Sequence, residues 1–165
     1  NLIKINSNNQ FYYKNIRLKK NSFDIIIIPN LMHHIDDVEV LIKQVKNILR
    51  PKGYLYIFEP LIRELHQIPE DYSRFTPFGL KNQLKKYGFE NYKINYTGGP
   101  FTSVAYFWDQ ALQYIPTKRK KYFENWFKKE FNKLVKLESK FPKNLHRKYT
   151  KSPVAFSIFS QLIKI

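Results

Sequence analysis

The chain has 165 residues, 43% of them hydrophobic and 17% aromatic, enough for one domain with a real core and too apolar for a disordered tail. It has no cysteine, which excludes disulfides and thiolate chemistry, and it carries 29 Lys and Arg against 13 Asp and Glu, a net +16 that favours anionic partners. No apolar stretch approaches a membrane span and no signal-peptide pattern is visible, so the expectation is a cytoplasmic protein, with peripheral membrane attachment as an option. The first residue is Asn1 and the single methionine is Met32, so the sequence reads as the carboxyl-terminal part of a longer product.

The first strong signal is FDIIIIPNLMHHIDD, from Phe23 to Asp37. Four consecutive β-branched residues predict a parallel strand over Asp24–Ile28, covered on both faces and ended by Pro29. The polar cluster behind it then lies at the strand's carboxyl end, where open α/β sheets bind ligands. Asp36 and Glu39 have capping spacing, and Val38, Leu41, Ile42, Val45, Ile48 and Leu49 recur at helical period. Pro51, Lys52 and Gly53 predict a turn, and Tyr54–Phe58 a second strand, completing a right-handed βαβ unit. Thr76, Pro77 and Gly88 bracket another helix, with Leu80 and Leu84 facing inward. Asn91–Thr97 alternates as a strand, and Val154–Ile163 reads as a final strand with both faces partly covered. Between them the character changes. Val104, Phe107, Trp108, Ala111, Leu112 and Ile115 form one helical stripe, and Phe123, Trp126, Phe127, Phe131, Leu134 and Phe141 a second. From residue 116 to 151 there are thirteen Lys and Arg against three Glu, so this segment holds +10 of the +16.

The order of FDIIIIPNLMHHIDD, a helix and LRPKGYLYIFEP resembles the second half of a class I S-adenosylmethionine-dependent methyltransferase, nearest to the type 11 methyltransferase domain. RELHQIPEDYSRFTPFGLKNQLKKYGF and GGPFTSVAYFWDQALQYIP resemble a bacterial subset of the same family. The resemblance covers Phe11 to Pro116 and, more loosely, the last strand. It implies an α/β fold: an open, mostly parallel Rossmann-like sheet of order 3-2-1-4-5-7-6, with helices on both faces. It also implies truncation at the N-terminus and a helical insertion before the last, antiparallel strand. In that order Leu2–Ile5 and Phe11–Lys14 correspond to strands two and three, and the runs beginning at Asp24, Tyr54, Tyr92 and Val154 to strands four, five, six and seven. Residues 1–165 are thus one partial methyltransferase domain with a basic helical insertion over 102–151. The family's glycine-rich loop after strand one is missing, since Gly53, Gly79, Gly88, Gly98 and Gly99 make no such pattern.

The resemblance implies methyl transfer from S-adenosylmethionine to a small-molecule, lipid or glycan acceptor, with a further N-terminal part completing the cofactor pocket. Cofactor contacts fall on Asn6, Asn15, Ile16, Asn30 and Leu31. Asn6 stands where the family often has an acidic ribose ligand, and Asn15 and Ile16 where it has an acidic–apolar pair. Glu59, His66, Tyr72 and Arg74 are candidates for the substrate side, against a self-satisfied polar cluster. His34 matches the family's LHHI motif and is a candidate general base, against a structural role. No metal site is expected, because adjacent residues such as His33 and His34 point apart on a regular strand or helix and no second ligand group has metal spacing. The alternative function is a non-catalytic module of the same fold whose basic insertion docks on an anionic partner or membrane surface. Nucleic acid ranks last, because the charge sits on the insertion rather than at the expected pocket, and nothing resembles a named binding motif.

Overall fold

The computed structural model describes residue 14, residues 17–140 and residues 153–163. In chain order these form β1 (Phe23–Pro29), a 3-10 turn (Met32–His34), α1 (Val38–Ile48), β2 (Leu49–Pro60), α2 (Pro77–Lys86), β3 (Phe89–Thr97), α3 (Pro100–Leu112), α4 (Thr117–Lys140) and β4 (Ala155–Leu162). Two compact units result, one holding the sheet with α1 and α2, the other carrying α3 and α4. The segments expected as strands two and three, Leu2–Ile5 and most of Phe11–Lys14, lie outside the described residues.

The sheet order is β1-β2-β4-β3, the second half of the expected 3-2-1-4-5-7-6. β1 and β2 run parallel, and β2 and β4 antiparallel. Ile163 N donates to Gly88 O and Asn91 faces Gln161, so β4 and β3 are antiparallel too. α1 packs on β2 and α2 on β4. Their apolar rows, Val38, Leu41, Ile42 and Val45 with Leu80 and Leu84, meet Ile28, Leu55, Ile57, Phe156 and Ile158 in one core. Tyr87 Oη, at the end of α2, donates to Glu39 of α1 at 2.9 Å. Both described helices of this unit therefore lie on the same face of the sheet.

Three expectations need correction. β1 is not covered on both faces: Ile28 is buried, but Ile25 and Ile27, which point the other way, are 56% and 59% exposed. Among the described residues β1 has β2 as its one strand neighbour, so it is also an edge of the sheet. The cap of α1 is Asp37, not Asp36; its side chain accepts from Val40 N at 3.1 Å, while Asp36 meets Lys14 Nζ at 2.8 Å. The turn at Pro51–Gly53 is absorbed into β2 as an irregularity between the Phe23↔Leu49 and Ile25↔Tyr54 pairs. Lys52 there has φ +66°, the geometry of a type II rather than a type I turn. The next residue must be glycine, since a Cβ at Gly53 would stand 2.8 Å from the Arg50 carbonyl oxygen and 3.0 Å from that of Asp24.

α2 forms as its sequence dictates. The Thr76 hydroxyl accepts from Gly79 N, Pro77 opens the first turn, and Gly88 leaves with φ +86°. In the second unit α3 and α4 meet through Trp108, Trp126 and Phe127, around a cavity of about 80 Å³. Glu138 of α4 caps α3 by accepting from Thr102 N and Oγ1. The expected stripes are only partly inside: Leu112 is buried, whereas Val104, Phe107 and Trp126 are about half exposed, and Phe141 lies outside the described residues.

Candidate functional site

The site is built where β1 and β2 end. Pro29 closes the β1 ladder, and Asn30 turns the chain with φ +48°, its N–H bonded to Phe58 O at 2.8 Å. Asparagine tolerates this left-handed conformation better than a branched residue. The following turn is tied down by Glu59. Its Oε1 accepts from the N–H groups of Leu31 and Met32, each at 2.9 Å, and its Oε2 lies 2.6 Å from His33 Nδ1. Glu59, Met32, His33 and His34 are all buried. A buried carboxylate is tolerable only with such a full set of donors.

The loop between β2 and α2 folds back over this turn. Tyr72 and Ser73 donate their N–H groups to His33 O, and the imidazole of His34 donates from Nδ1 to Glu70 O at 2.5 Å. Burial pushes His34 below the ordinary histidine value, and the Glu70 carbonyl opposes that shift. Asp71, nearly inaccessible, forks onto the Arg74 guanidinium and accepts from His66 N at 3.0 Å. The bonds from Arg74 hold the Asp71 carboxyl far below the usual carboxylate range, and Asp71 in turn raises Arg74. Arg74 also donates to Glu64 O, while its Nε is buried without a partner among the described residues.

The candidates thus fall into three groups. Asn30 is exposed and its neighbour Leu31 is buried, just past the end of β1. His34 and Glu59 lie under the loop and His66 and Arg74 on it, within one cluster of polar contacts, and Tyr72, 49% exposed, reaches solvent. Asn6, Asn15 and Ile16 lie outside the described residues. The carboxylate of Glu59 is wholly engaged by the chain's own groups, so its part is to position the turn rather than to meet a ligand directly.

The largest departure concerns the histidines. His33 and His34 do not point apart: their ring centroids are 4.0 Å from each other, and the His66 ring lies 5.2 and 4.7 Å from them. A tight 3-10 turn lacks the alternation of a strand, and the loop brings His66 to the same place. Only the fold of that loop creates this cluster, so sequence spacing gave no warning of it.

A sheet of this order, with a helix-backed turn at the strand ends, is the fold of the class I, S-adenosylmethionine-dependent methyltransferases. A family model described as a methyltransferase domain matches residues 2–94, more than half of the chain, and the chain belongs to that family. Solved structures agree in fold. A methyltransferase from Thermotoga maritima, a possible histamine N-methyltransferase, superposes with a TM-score of 0.54 at 16% identity, over 91% of this chain and 61% of its own. One from Archaeoglobus fulgidus gives 0.53 at 16% identity, over 98% and 67%. Haemonchus contortus phosphoethanolamine N-methyltransferase 2, in complex with S-adenosyl-L-methionine, gives 0.51 at 13%, over 91% and 35%. The chain therefore spans less than two thirds of the length of the Thermotoga protein. A search of curated protein sequences found no match.

Proposed function

We propose that this chain takes part in methyl transfer from S-adenosylmethionine to a small-molecule, lipid or glycan acceptor. The observation that carries this is the match to the methyltransferase-domain family, together with a ligand-side turn at the ends of β1 and β2. The cofactor supplies a sulfonium leaving group, and the protein's task is to align donor and acceptor. Asn30 and Leu31 line the cofactor side of the mouth. Tyr72 and the Asp71–Arg74 loop face the acceptor, with His34 and His66 behind them. The uncovered face of β1 supports a pocket completed by a further segment, because exposed Ile25 and Ile27 are ordinary contact surface for a packed neighbour.

Calorimetric titration with S-adenosylmethionine tests this. Weak binding by this chain alone, with a Kd above about 100 µM, that Asn30→Ala weakens further, is expected. Micromolar binding would contradict the need for a further segment, and binding indifferent to Asn30→Ala would remove the cofactor contact.

A second reading, a non-catalytic module docking on an anionic membrane, is favoured by the surface of α4. Tyr122 and Trp126 are 70% and 48% exposed and share a helical face with Lys129 and Lys133. Among the described residues no helix is long and apolar enough to cross a membrane. Flotation with phosphatidylserine vesicles, absent with phosphatidylcholine alone and lost on Trp126→Ala, would favour it; no flotation would dismiss it.

A further inference from the structure

We propose that His33, His34 and His66 form a binding site for a divalent transition-metal ion of the zinc type, each through Nε2. The first ground is the arrangement of protons. His33 Nδ1 faces a carboxylate oxygen of Glu59, His34 Nδ1 faces the Glu70 carbonyl, and His66 Nδ1 faces the Glu64 carbonyl and the Asp71 carboxylate, both at 3.2 Å. All these partners only accept, so every Nδ1 carries the hydrogen and every neutral ring keeps its lone pair on Nε2. That is how metal-bound imidazoles are held: the remote N–H on a carboxylate or carbonyl, the other nitrogen free to ligate.

The second ground is distance. His33 Nε2 and His66 Nε2 stand 3.4 Å apart. Two lone pairs facing each other repel unless a cation lies between them. Two nitrogens bound at 2.0–2.1 Å to a tetrahedral ion are separated by about 3.3 Å. One ligand atom from each of the three histidines lies within 4.8 Å of the others, so an ion need only draw the third imidazole closer to the first two.

The third ground is the setting. His33 and His34 are buried, and the His66 side chain is 15% exposed, so three nitrogen ligands are desolvated beside one edge open to an incoming ion. Nitrogen ligands without thiolates suit Zn²⁺, Co²⁺ or Ni²⁺ over Ca²⁺ or Mg²⁺. Three protein ligands leave a fourth position for water or an oxygen donor. The site lies at the carboxyl ends of β1 and β2, where the acceptor side of the proposed reaction falls. Metal binding itself does not depend on that reaction.

The test uses the whole chain, dialysed against a chelator and titrated with Zn²⁺ by calorimetry, then with Co²⁺ by visible absorption. One equivalent of Zn²⁺ with a Kd in the micromolar range or tighter is expected, together with an intense Co²⁺ band of low coordination number. His66→Ala, on the loop, weakens binding by at least about tenfold and abolishes the band. His146→Ala, the fourth histidine of the chain, leaves both unchanged. His34→Gln is the second variant, should His66→Ala not fold. Absence of the band, or binding that follows His146 rather than His66, overturns the site; a cluster that merely shares a proton gives that result.

Discussion

Glu59 Oε2 lies 2.6 Å from His33 Nδ1, and neither side chain is more than 1% exposed. The other carboxylate oxygen meets two backbone N–H groups of the turn that carries His33. One acidic residue at the end of β2 therefore fixes both the backbone of the β1 turn and the tautomer of its imidazole.

Glu59→Gln removes the charge while keeping the shape. Its amide nitrogen then confronts either His33 Nδ1–H or the turn's two N–H groups, and at least one donor is left unpaired. Destabilisation of about 2–4 kcal/mol is expected, read as a lower urea midpoint at constant m-value. An unchanged midpoint would mean that the turn does not depend on this carboxylate.

Two adjacent positions in β2 should respond with opposite sign to small substitutions. Lys52 holds φ +66°, so Lys52→Gly relieves left-handed strain and is expected to stabilise by about 0.5–1 kcal/mol. Gly53→Ala drives a methyl group into the backbone oxygens of Arg50 and Asp24 and costs about 2 kcal/mol or more. Thermal melts of the two variants check this; equal shifts would contradict the bulged geometry.

The cap of α1 separates two neighbouring aspartates. Asp37→Ala loses the bond to Val40 N and is expected to cost about 1 kcal/mol. Asp36→Ala, which breaks a half-exposed pair with Lys14 and an exposed bond accepted from Asp37 N, costs less, about half a kcal/mol. Urea denaturation of both variants reads the difference, and the reverse order would move the cap one residue back.

Tyr92 gives an alkaline signature. Burial, aided by the charge of Glu90, pushes its phenol up to about 12 from an ordinary 10. The raised folded value means that its contribution to stability is complete below pH 10 and is lost between pH 10 and 12, as the unfolded chain ionises first. Tyr92→Phe should flatten that part of the stability profile, and ultraviolet titration should show one late tyrosine absent from the variant. An identical profile would place the phenol in ordinary solvent.

Local patterns carried much of the fold. The period of Leu80 and Leu84 with Thr76, Pro77 and Gly88 was enough for α2, and the row from Val38 to Ile48 for the buried face of α1. The resemblance supplied the strand order that periodicity alone could not. The exposure of Ile25 and Ile27 was not legible, because a β-branched run reports strand preference and not what packs on it. The spacing of Asp36 to Glu39 points to a cap one residue early, because Asp37, the cap in the structure, has Val40 and no acidic partner three residues on. The convergence of His33, His34 and His66 was hidden for a deeper reason: it depends on a loop returning some thirty residues later, and no local spacing encodes that return.

The free side of β1 has a practical consequence. Among the described residues the outer edge of β1 has no strand partner, and such an edge beside the exposed Ile25 and Ile27 is a template for an extended chain, including another molecule of the same protein. Association through this edge is therefore expected to grow with concentration, as light scattering would read. A lysine placed at Ile25 or Ile27 should keep them dispersed without disturbing the core, to which neither side chain contributes.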